Sequence, residues 1–253
     1  MANTVFANKI IEAKAQDLLS TAVNARSLMA IDNALAAEAG MTKTIHVYTY
    51  NGQAEELGVG EGNTNRGSVS YAPTDYTVKL VQQAFDYQDE DYMKDHNVVD
   101  MGVKGATQVM TNKMTADFFA EAAKASLSQE GEISYDTIVD AIAKMNLEDE
   151  SGLFVCITPA QKAELRKDAD YVAARMGEVV YNGQVGTIAG IPVIVSKAAG
   201  NGFIAHKDAI KLFMKKDVEV EQERDADTRT NSIYLRAAYI VALVDATKIV
   251  KFA

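Results

Sequence analysis

The chain holds one cysteine, no tryptophan, three prolines and three histidines in 253 residues. A single cysteine excludes an intrachain disulfide. Cys156 lies inside the apolar run LFVCI, the setting of a buried and inert thiol. No apolar run reaches the roughly 18 residues that a membrane-crossing helix needs, and the opening MANTVFANKIIEAKAQ has no apolar core of signal-peptide type. Basic residues are in deficit: Lys plus Arg is 25 against 35 for Asp plus Glu, a formal charge of −10. The pair Lys215-Lys216 sits beside Asp217 and Glu219 and reads as a mixed solvated surface. A nucleic-acid reader carries a basic patch, so that class is excluded.

Catalytic signatures are missing as well. His46, His96 and His206 stand apart from one another and from Cys156, so no metal-ligand spacing occurs. No serine has a G-x-S-x-G context. GNTNRGS, Gly62 to Ser68, resembles a phosphate-binding loop, but Ser68 stands where the lysine belongs. No strand leads into it and no helix follows. The acidic run Asp86 to Asp91, DYQDED, could hold a divalent cation; an acidic start to a helix, favoured by the helix dipole, is the better reading. The expectation is a protein that is not an enzyme and has no catalytic residue, cofactor or metal site.

What is present is an ordinary globular composition, 48% hydrophobic and 24% charged, enough for one elaborated domain or two modest ones. Asp95 to Leu127 reads as one long amphipathic helix. Val99, Val103, Ala106, Met110, Met114, Phe118 and Ala122 recur at steps of three or four and form its buried stripe. Lys104, Gln108, Lys113, Asp117 and Lys124 lie off the stripe and are expected to reach solvent. At about 1.5 Å per residue the rod would be roughly 45 Å long. Gly102 and Gly105 weaken its first turns and make sense where another backbone passes close. A rod of this length needs partners laid along it.

Before it, residues 1–40 predict a helical arm. It carries one thin stripe at Ile11, Ala15, Leu18 and Ala22, a second at Leu28, Ile31 and Leu35, and Gly40 as C-cap. Thr44 to Tyr50 and Tyr76 to Tyr87 read as strands, separated by a long glycine-rich excursion with Gly52, Gly58, Gly60, Gly62 and Gly67. After the long helix the pattern predicts a helix over Ser134–Met145 capped by Ser134, and a buried strand over Gly152–Ile157. A second helix is opened by Thr158-Pro159-Ala160-Gln161, with helical structure continuing over Val172–Met176. Gln184–Ser196 reads as two strands turning at Ala189-Gly190, with Pro192 at an edge or bulge. Phe203–Ala205 is a short strand and Asp208–Leu212 a helical turn. Asp217–Arg224 and Ser232–Val244 form a hairpin around DADTRTN, and Thr247–Phe252 is a last strand.

This order of parts resembles the major capsid protein fold of tailed bacteriophages, shared with encapsulin shells. The fold class implied is α+β. The resemblance spans the whole chain and includes the turn GTIAGIPV, Gly186 to Val193. It implies an N-terminal arm over 1–40 and an extended β-loop over 41–90. A peripheral domain with spine helix and β-hairpin follows over 91–130 and 213–242, and an α/β axial domain over 131–212 and 243–253. It further implies a subunit of an icosahedral phage or prophage capsid that self-assembles into hexamers and pentamers around double-stranded DNA, with no sequence-specific DNA contact and no membrane. The location implied is the virion, assembled in the host cytoplasm. An acidic inner wall suits a DNA container. About forty residues precede the loop, which implies a separate scaffolding protein; a portal is implied by the family. Between Asn51 and Asp75 there is no lysine, with Lys79 on the return strand, so covalent cross-linking of subunits through this loop is not expected. Inter-subunit contacts would fall on Phe6, Ile10 and Ile11 of the arm, on Glu55, Glu56, Leu57, Val59, Glu61 and Arg66 of the loop, and on Glu219, Glu221 and Arg224 of the hairpin. An encapsulin-like shell around protein cargo is the alternative; a soluble enzyme with an unseen site is a third.

Overall fold

A computed structural model of the chain describes residues 25–37, 39–168 and 186–253. The arm's first stripe, together with Phe6, Ile10 and Ile11, the helix expected at Val172–Met176, and residues 184 and 185 lie outside the described residues.

Twelve strands and four α-helices among the described residues are enough to follow the chain, and the longest helix organises them. Helix α2, Val98–Ala122, follows a short helix α1, Asp89–Lys94. At 1.5 Å per residue α2 is about 37 Å long, shorter than the predicted rod. At its start Asp95 takes an extended conformation (φ −141°, ψ 114°) and breaks the run. Its side chain instead accepts from the Asn97 amide at 2.9 Å. Beyond Ala122 the chain turns into strand β5, Leu127–Gln129. Every residue of the expected stripe, from Val99 to Ala122, is buried. Phe118 is fully covered, its ring 5.8 Å from that of Phe203 and 6.5 Å from that of Phe154. Gly102 is needed because a side chain there would run into the Phe85 ring, whereas Gly105 faces open space. The close approach at Gly102 is therefore real, made by a ring and not by a backbone.

Two sheets sandwich the helix with the rest of the body. The first has the order β1-β10-β11-β4: β1 Ala30–Asp32, β4 Lys79–Gln88, β10 Ile210–Asp225 and β11 Thr230–Leu243. One of its faces, carrying Leu212, Val220, Leu235, Tyr239 and Val241, packs against α2. The other, carrying Phe213, Ala238, Ile240 and Ala242, packs against Leu35, Ile45 and Val78. The second sheet has the order β5-β12-β9-β6-β8-β7. Its members are β6 Leu153–Ile157, β7 Thr187–Ile188, β8 Ile191–Val195, β9 Phe203–His206 and β12 Ile249–Phe252. Strand β6 is buried along its whole length. Phe154 and Cys156 face the α2 core, while Leu153, Val155 and Ile157 face helix α3, Tyr135–Met145, and helix α4, Pro159–Leu165. Burial pushes the Cys156 thiol up to about 12, so it is inert at neutral pH.

Local chemistry sets the ends as the sequence predicts. Ser134 caps α3 by accepting from the Thr137 amide at 3.1 Å. Thr158 and Gln161 form a capping box on α4 with Pro159 in the first turn. Ala189 (φ 48°) and Gly190 (φ 81°) make the two-residue β7–β8 turn, both left-handed as a tight hairpin of this hand requires. Pro192 sits on β8 opposite Thr187 of the two-residue edge strand β7.

Four expectations are corrected. Leu28, Ile31 and Leu35 do not lie on one helix. The chain forms 3₁₀ turns at Ala25–Leu28 and Ala34–Ala36, with β1 between them pairing parallel to β10. Backbone pairing to an open sheet edge outweighs a thin stripe, and Ile31 is left 46% exposed. Gly40 (φ 116°) consequently caps no helix. Asp208–Leu212 is not a helical turn: β10 starts at Ile210, where Ile210, Leu212 and Met214 pair with Leu243, Val241 and Tyr239. Asp117 does not reach solvent but is 5% exposed.

Candidate assembly surface

Strands β2, Thr42–Asn51, and β3, Ser68–Thr77, form a two-stranded sheet that joins neither of the others. Their register is unbroken from Thr42↔Thr77 to Asn51↔Ser68. Ten residues at about 3.3 Å each make a ribbon roughly 33 Å long. The return strand starts well before Tyr76. Its composition, SVSYAPTDYT, hides it, because Pro73 and the serines weaken a strand pattern. Period-two alternation puts Thr44, His46, Tyr48 and Tyr50 on one face, opposite Asp75, Pro73, Tyr71 and Val69. The rings of His46, Tyr48 and Tyr71 cluster within 5.7 to 6.2 Å of one another. Tyr48 and Tyr50 are each 67% exposed and Tyr71 64%. An exposed run of aromatic and aliphatic side chains on a bare ribbon is a surface that asks for a partner. The alternation in TIHVYTY carries this signal, whereas the expected contacts fall on the tip, the arm and the hairpin and miss this face.

The tip, residues 52–67, is held by its own polar groups. Glu55 accepts from the Thr64 hydroxyl and from the amides of Thr64 at 2.8 Å and Asn65 at 3.0 Å. The Thr64 hydroxyl first, then the two amides, hold the Glu55 carboxyl below its usual value. Glu61 accepts from the Gly58 amide at 3.1 Å. Leu57 is 47% exposed and Val59 completely so, and Glu56 and Arg66 are exposed as well. Glu55, expected to meet a neighbour, is thus engaged inside the tip. On the hairpin, Glu219 pairs with Lys216 at 2.5 Å, Glu221 with Arg236 at 2.8 Å and Arg224 with Asp89 at 2.8 Å. All three expected hairpin contacts are paired within the chain.

The ribbon root is bolted to the body by buried acids that hydrophobic spacing alone could not reveal. Asp117 Oδ1 accepts from Lys79 and from Lys113, each at 2.9 Å, and Oδ2 accepts from the Tyr239 hydroxyl at 3.0 Å. Burial works against the Asp117 charge, and the bonds from Lys79, Lys113 and Tyr239 overcome it, so its carboxyl stays below the usual value. One turn on, buried Glu121 pairs with Lys124 at 2.7 Å, and the Lys124 ammonium lies 5.7 Å over the Tyr76 ring. Tyr76 and Lys79 thus tie the end of β3 and the start of β4 to the end of the spine helix, and the Val78 amide, bonded to the Met41 carbonyl at 2.7 Å, ties the β3–β4 junction to the start of β2. The acidic run is likewise structural: Asp89 binds Arg224 and Asn231, Glu90 binds Arg229 at 2.7 Å, and Asp91 binds Lys94 at 3.4 Å. Among the described residues no three His, Cys, Asp or Glu side chains are grouped to hold a metal ion.

The described residues thus form two sheets on a spine helix and a separate two-stranded ribbon that pairs only with itself. A family model described as phage capsid protein matches residues 71–252. The chain therefore belongs to the phage capsid protein family. The major capsid protein of Staphylococcus phage phiMR11 is 25% identical over 233 residues, 89% of this chain and 85% of that protein. The capsid of cyanophage P-SCSP1u aligns with a TM-score of 0.70 at 12% identity, over 89% of this chain and 86% of that one. A virus-like particle from Pyrococcus furiosus aligns with a TM-score of 0.68 at 10% identity, over 98% of this chain and all (100%) of that one. The fold is the tailed-phage major-capsid fold, and the chain is a structural capsid subunit, not an enzyme. Such a subunit works by associating with copies of itself into capsomers, and its place is the virion.

Proposed function

We propose that this subunit builds hexamers and pentamers of an icosahedral shell, with the β2–β3 ribbon clamped over an adjacent subunit. The observation that carries this is the ribbon itself: it pairs only with itself and leaves Tyr48, Tyr50 and Tyr71 exposed. An isolated two-stranded ribbon is at best marginal in water, so a neighbour must cover it. Glu56, Leu57, Val59, Glu61 and Arg66 meet that neighbour from the tip, with Glu55 shaping the tip from inside. Phe6, Ile10 and Ile11 reach across from the arm, and the hairpin edge bearing Glu219, Glu221 and Arg224 meets a further copy.

In this reading residues 1–40 are the arm and 41–90 the extended loop. Residues 91–130 with 213–242 form the peripheral domain, and 131–212 with 243–253 the axial domain. The shell encloses double-stranded DNA behind an acidic wall. A separate scaffolding protein and a portal take part, and assembly happens in the host cytoplasm. Sedimentation and electron microscopy of the purified protein test the assembly claim. Closed shells or capsomers are expected; a 27.4 kDa species under every condition would overturn it. The likeness to the Pyrococcus furiosus particle over nearly the whole chain favours a second reading of the contents, protein cargo in place of DNA. Nuclease-protected DNA in purified shells supports the first, and protected protein without DNA the second.

A further inference from the structure

Three Asn–Gly pairs occur in the sequence: Asn51–Gly52, Asn182–Gly183 and Asn201–Gly202. The second lies outside the described residues. Because glycine has no side chain, its amide nitrogen can approach the side-chain carbonyl carbon of the asparagine before it. The first and third pairs share this chemistry in opposite settings. Gly202 is buried, its amide donates to the Ala199 carbonyl at 2.9 Å, and its carbonyl accepts from the Phe252 amide at 3.0 Å. The Asn201 carbonyl accepts from Gln161 Nε2 at 2.5 Å. The nitrogen that would attack Asn201 is therefore engaged in the fold. Asn51, by contrast, is the last residue of β2 and pairs with Ser68 at the tip end of the ribbon ladder. Asn51 and Gly52 are both exposed. Among the described residues no hydrogen bond holds the Gly52 amide or the Asn51 carboxamide.

Glycine is required at 52, because a side chain there or at Gly67 would run into the Tyr50 ring, which lies across both. The packing of the ribbon thus keeps a reactive pair at its end. A two-stranded ribbon is marginal in water, and its terminal pair opens first, which frees Asn51 to leave the extended conformation. We propose that Asn51–Gly52 is a spontaneous deamidation site through which an unassembled subunit loses its competence to assemble. The Gly52 nitrogen attacks Asn51 Cγ and gives up its proton, ammonia leaves, and a succinimide ring closes. Water then opens the ring. Addition at Cγ leaves aspartate, and addition at the Asn51 main-chain carbonyl carbon leaves isoaspartate, with the chain continuing through Cγ. Overall, water is consumed and ammonia released, with no oxidant or reductant. Either product puts a new carboxylate beside a tip that holds Glu55, Glu56 and Glu61 against Arg66. Isoaspartate also lengthens the backbone where the ribbon meets the tip. The loss of assembly rests on the reading of the ribbon as a clamp; the deamidation itself does not.

Peptide mapping of the full chain by mass spectrometry tests the site. Trypsin places the three pairs on separate peptides, Thr44–Arg66, Met176–Lys197 and Ala198–Lys207. The folded subunit is stored at mildly alkaline pH, which favours loss of the amide proton. Asn51 should convert to aspartate and isoaspartate, a gain of about 1 Da located by fragmentation, while Asn201 stays intact. In denaturant Asn201 should convert as Asn51 does, since the fold alone protects it. An intact Asn51 in the stored folded subunit, or equal conversion of Asn51 and Asn201 there, would overturn the site. Sedimentation then reads assembly. Stored parent and fresh Asn51→Asp should form fewer shells than fresh parent, and stored Asn51→Gln should assemble as well as when fresh. Normal assembly of the converted protein, or an equal loss in stored Asn51→Gln, would overturn the effect on assembly. If fresh parent forms no shell, the clamp reading fails, and the peptide map still decides the site.

Discussion

The β10–β11 hairpin and the β2–β3 ribbon are both long antiparallel ladders, yet they stand in opposite relation to the fold. The hairpin has strands of 16 and 14 residues and is flanked by β1 and β4. One of its faces lies on α2 and the other on the Leu35, Ile45 and Val78 cluster. The ribbon has strands of ten residues, no flanking strand, and nearly every β3 residue exposed. The hairpin strands are also paired on their outer edges, by β1 and β4, whereas the ribbon strands pair only with each other. The larger difference is side-chain burial, the dominant favourable term in both folding and association. The hairpin spends its apolar surface inside the subunit, and the ribbon keeps Val47, Tyr48, Tyr50, Val69 and Tyr71 exposed for something outside it. Folding and assembly are thereby assigned to different parts of one chain.

This contrast sets a descending series of effects on the stability of the isolated subunit. The largest belongs to the core between spine and sheets. Phe118→Ala removes a fully buried ring that meets Phe154 and Phe203, and should cost about 3 to 5 kcal/mol in denaturant unfolding. An unchanged midpoint would remove α2 from the core.

Next comes the bolt at the ribbon root. Asp117→Ala leaves the buried Tyr239 hydroxyl without its acceptor and should cost about 1 to 3 kcal/mol. It also carries a pH signature. The folded Asp117 carboxyl is held below its usual value, so its contribution is present above the unfolded carboxylate's value and lost as pH falls through the folded one. Stability of the parent should drop across that acid window more steeply than stability of Asp117→Ala. Parallel pH profiles would show that the group is not part of the bolt.

A smaller pair of effects has opposite signs. Gly102→Ala drives a methyl into the Phe85 ring and should destabilise by about 1 to 3 kcal/mol. Gly105→Ala meets nothing and should stabilise by up to about 1 kcal/mol through helix propensity. Equal shifts from the two would mean that β4 does not press on the spine at Gly102.

Much of the body was legible in the sequence. The spine stripe, the Ser134 and Thr158 caps and the Ala189-Gly190 turn rest on local rules of spacing and turn chemistry, and the structure places each as read. The features that escaped depend on contacts between distant segments. Strand β1 exists because β10 offers an edge, not because AID has a strand pattern. The return strand β3 holds its register although Pro73 lies in it, because a ribbon edge can accept a residue with no amide hydrogen. Strand β10 begins at Ile210, ahead of the expected start at Asp217, and runs through Lys215 and Lys216, where register shifts between Met214 and Glu219 absorb them. Asp117 looked solvent-facing because its partners lie 38 positions before it and 122 after it. At the assembly surface, charged residues drew the eye to the tip, while the aromatic face of the ribbon was visible only as the alternation of TIHVYTY.

The most direct test of the division between folding and assembly is removal of the ribbon tip. Glu55 to Arg66 bury none of their side chains in the body, and their polar contacts stay within the ribbon tip. Deleting Glu55 to Arg66 and closing the ribbon with a short turn should leave the unfolding midpoint and far-UV circular dichroism at the parent's values. Sedimentation of the same protein should show shell formation lost or halted at isolated capsomers. An unfolded subunit, or normal closed shells from the shortened chain, would contradict the account.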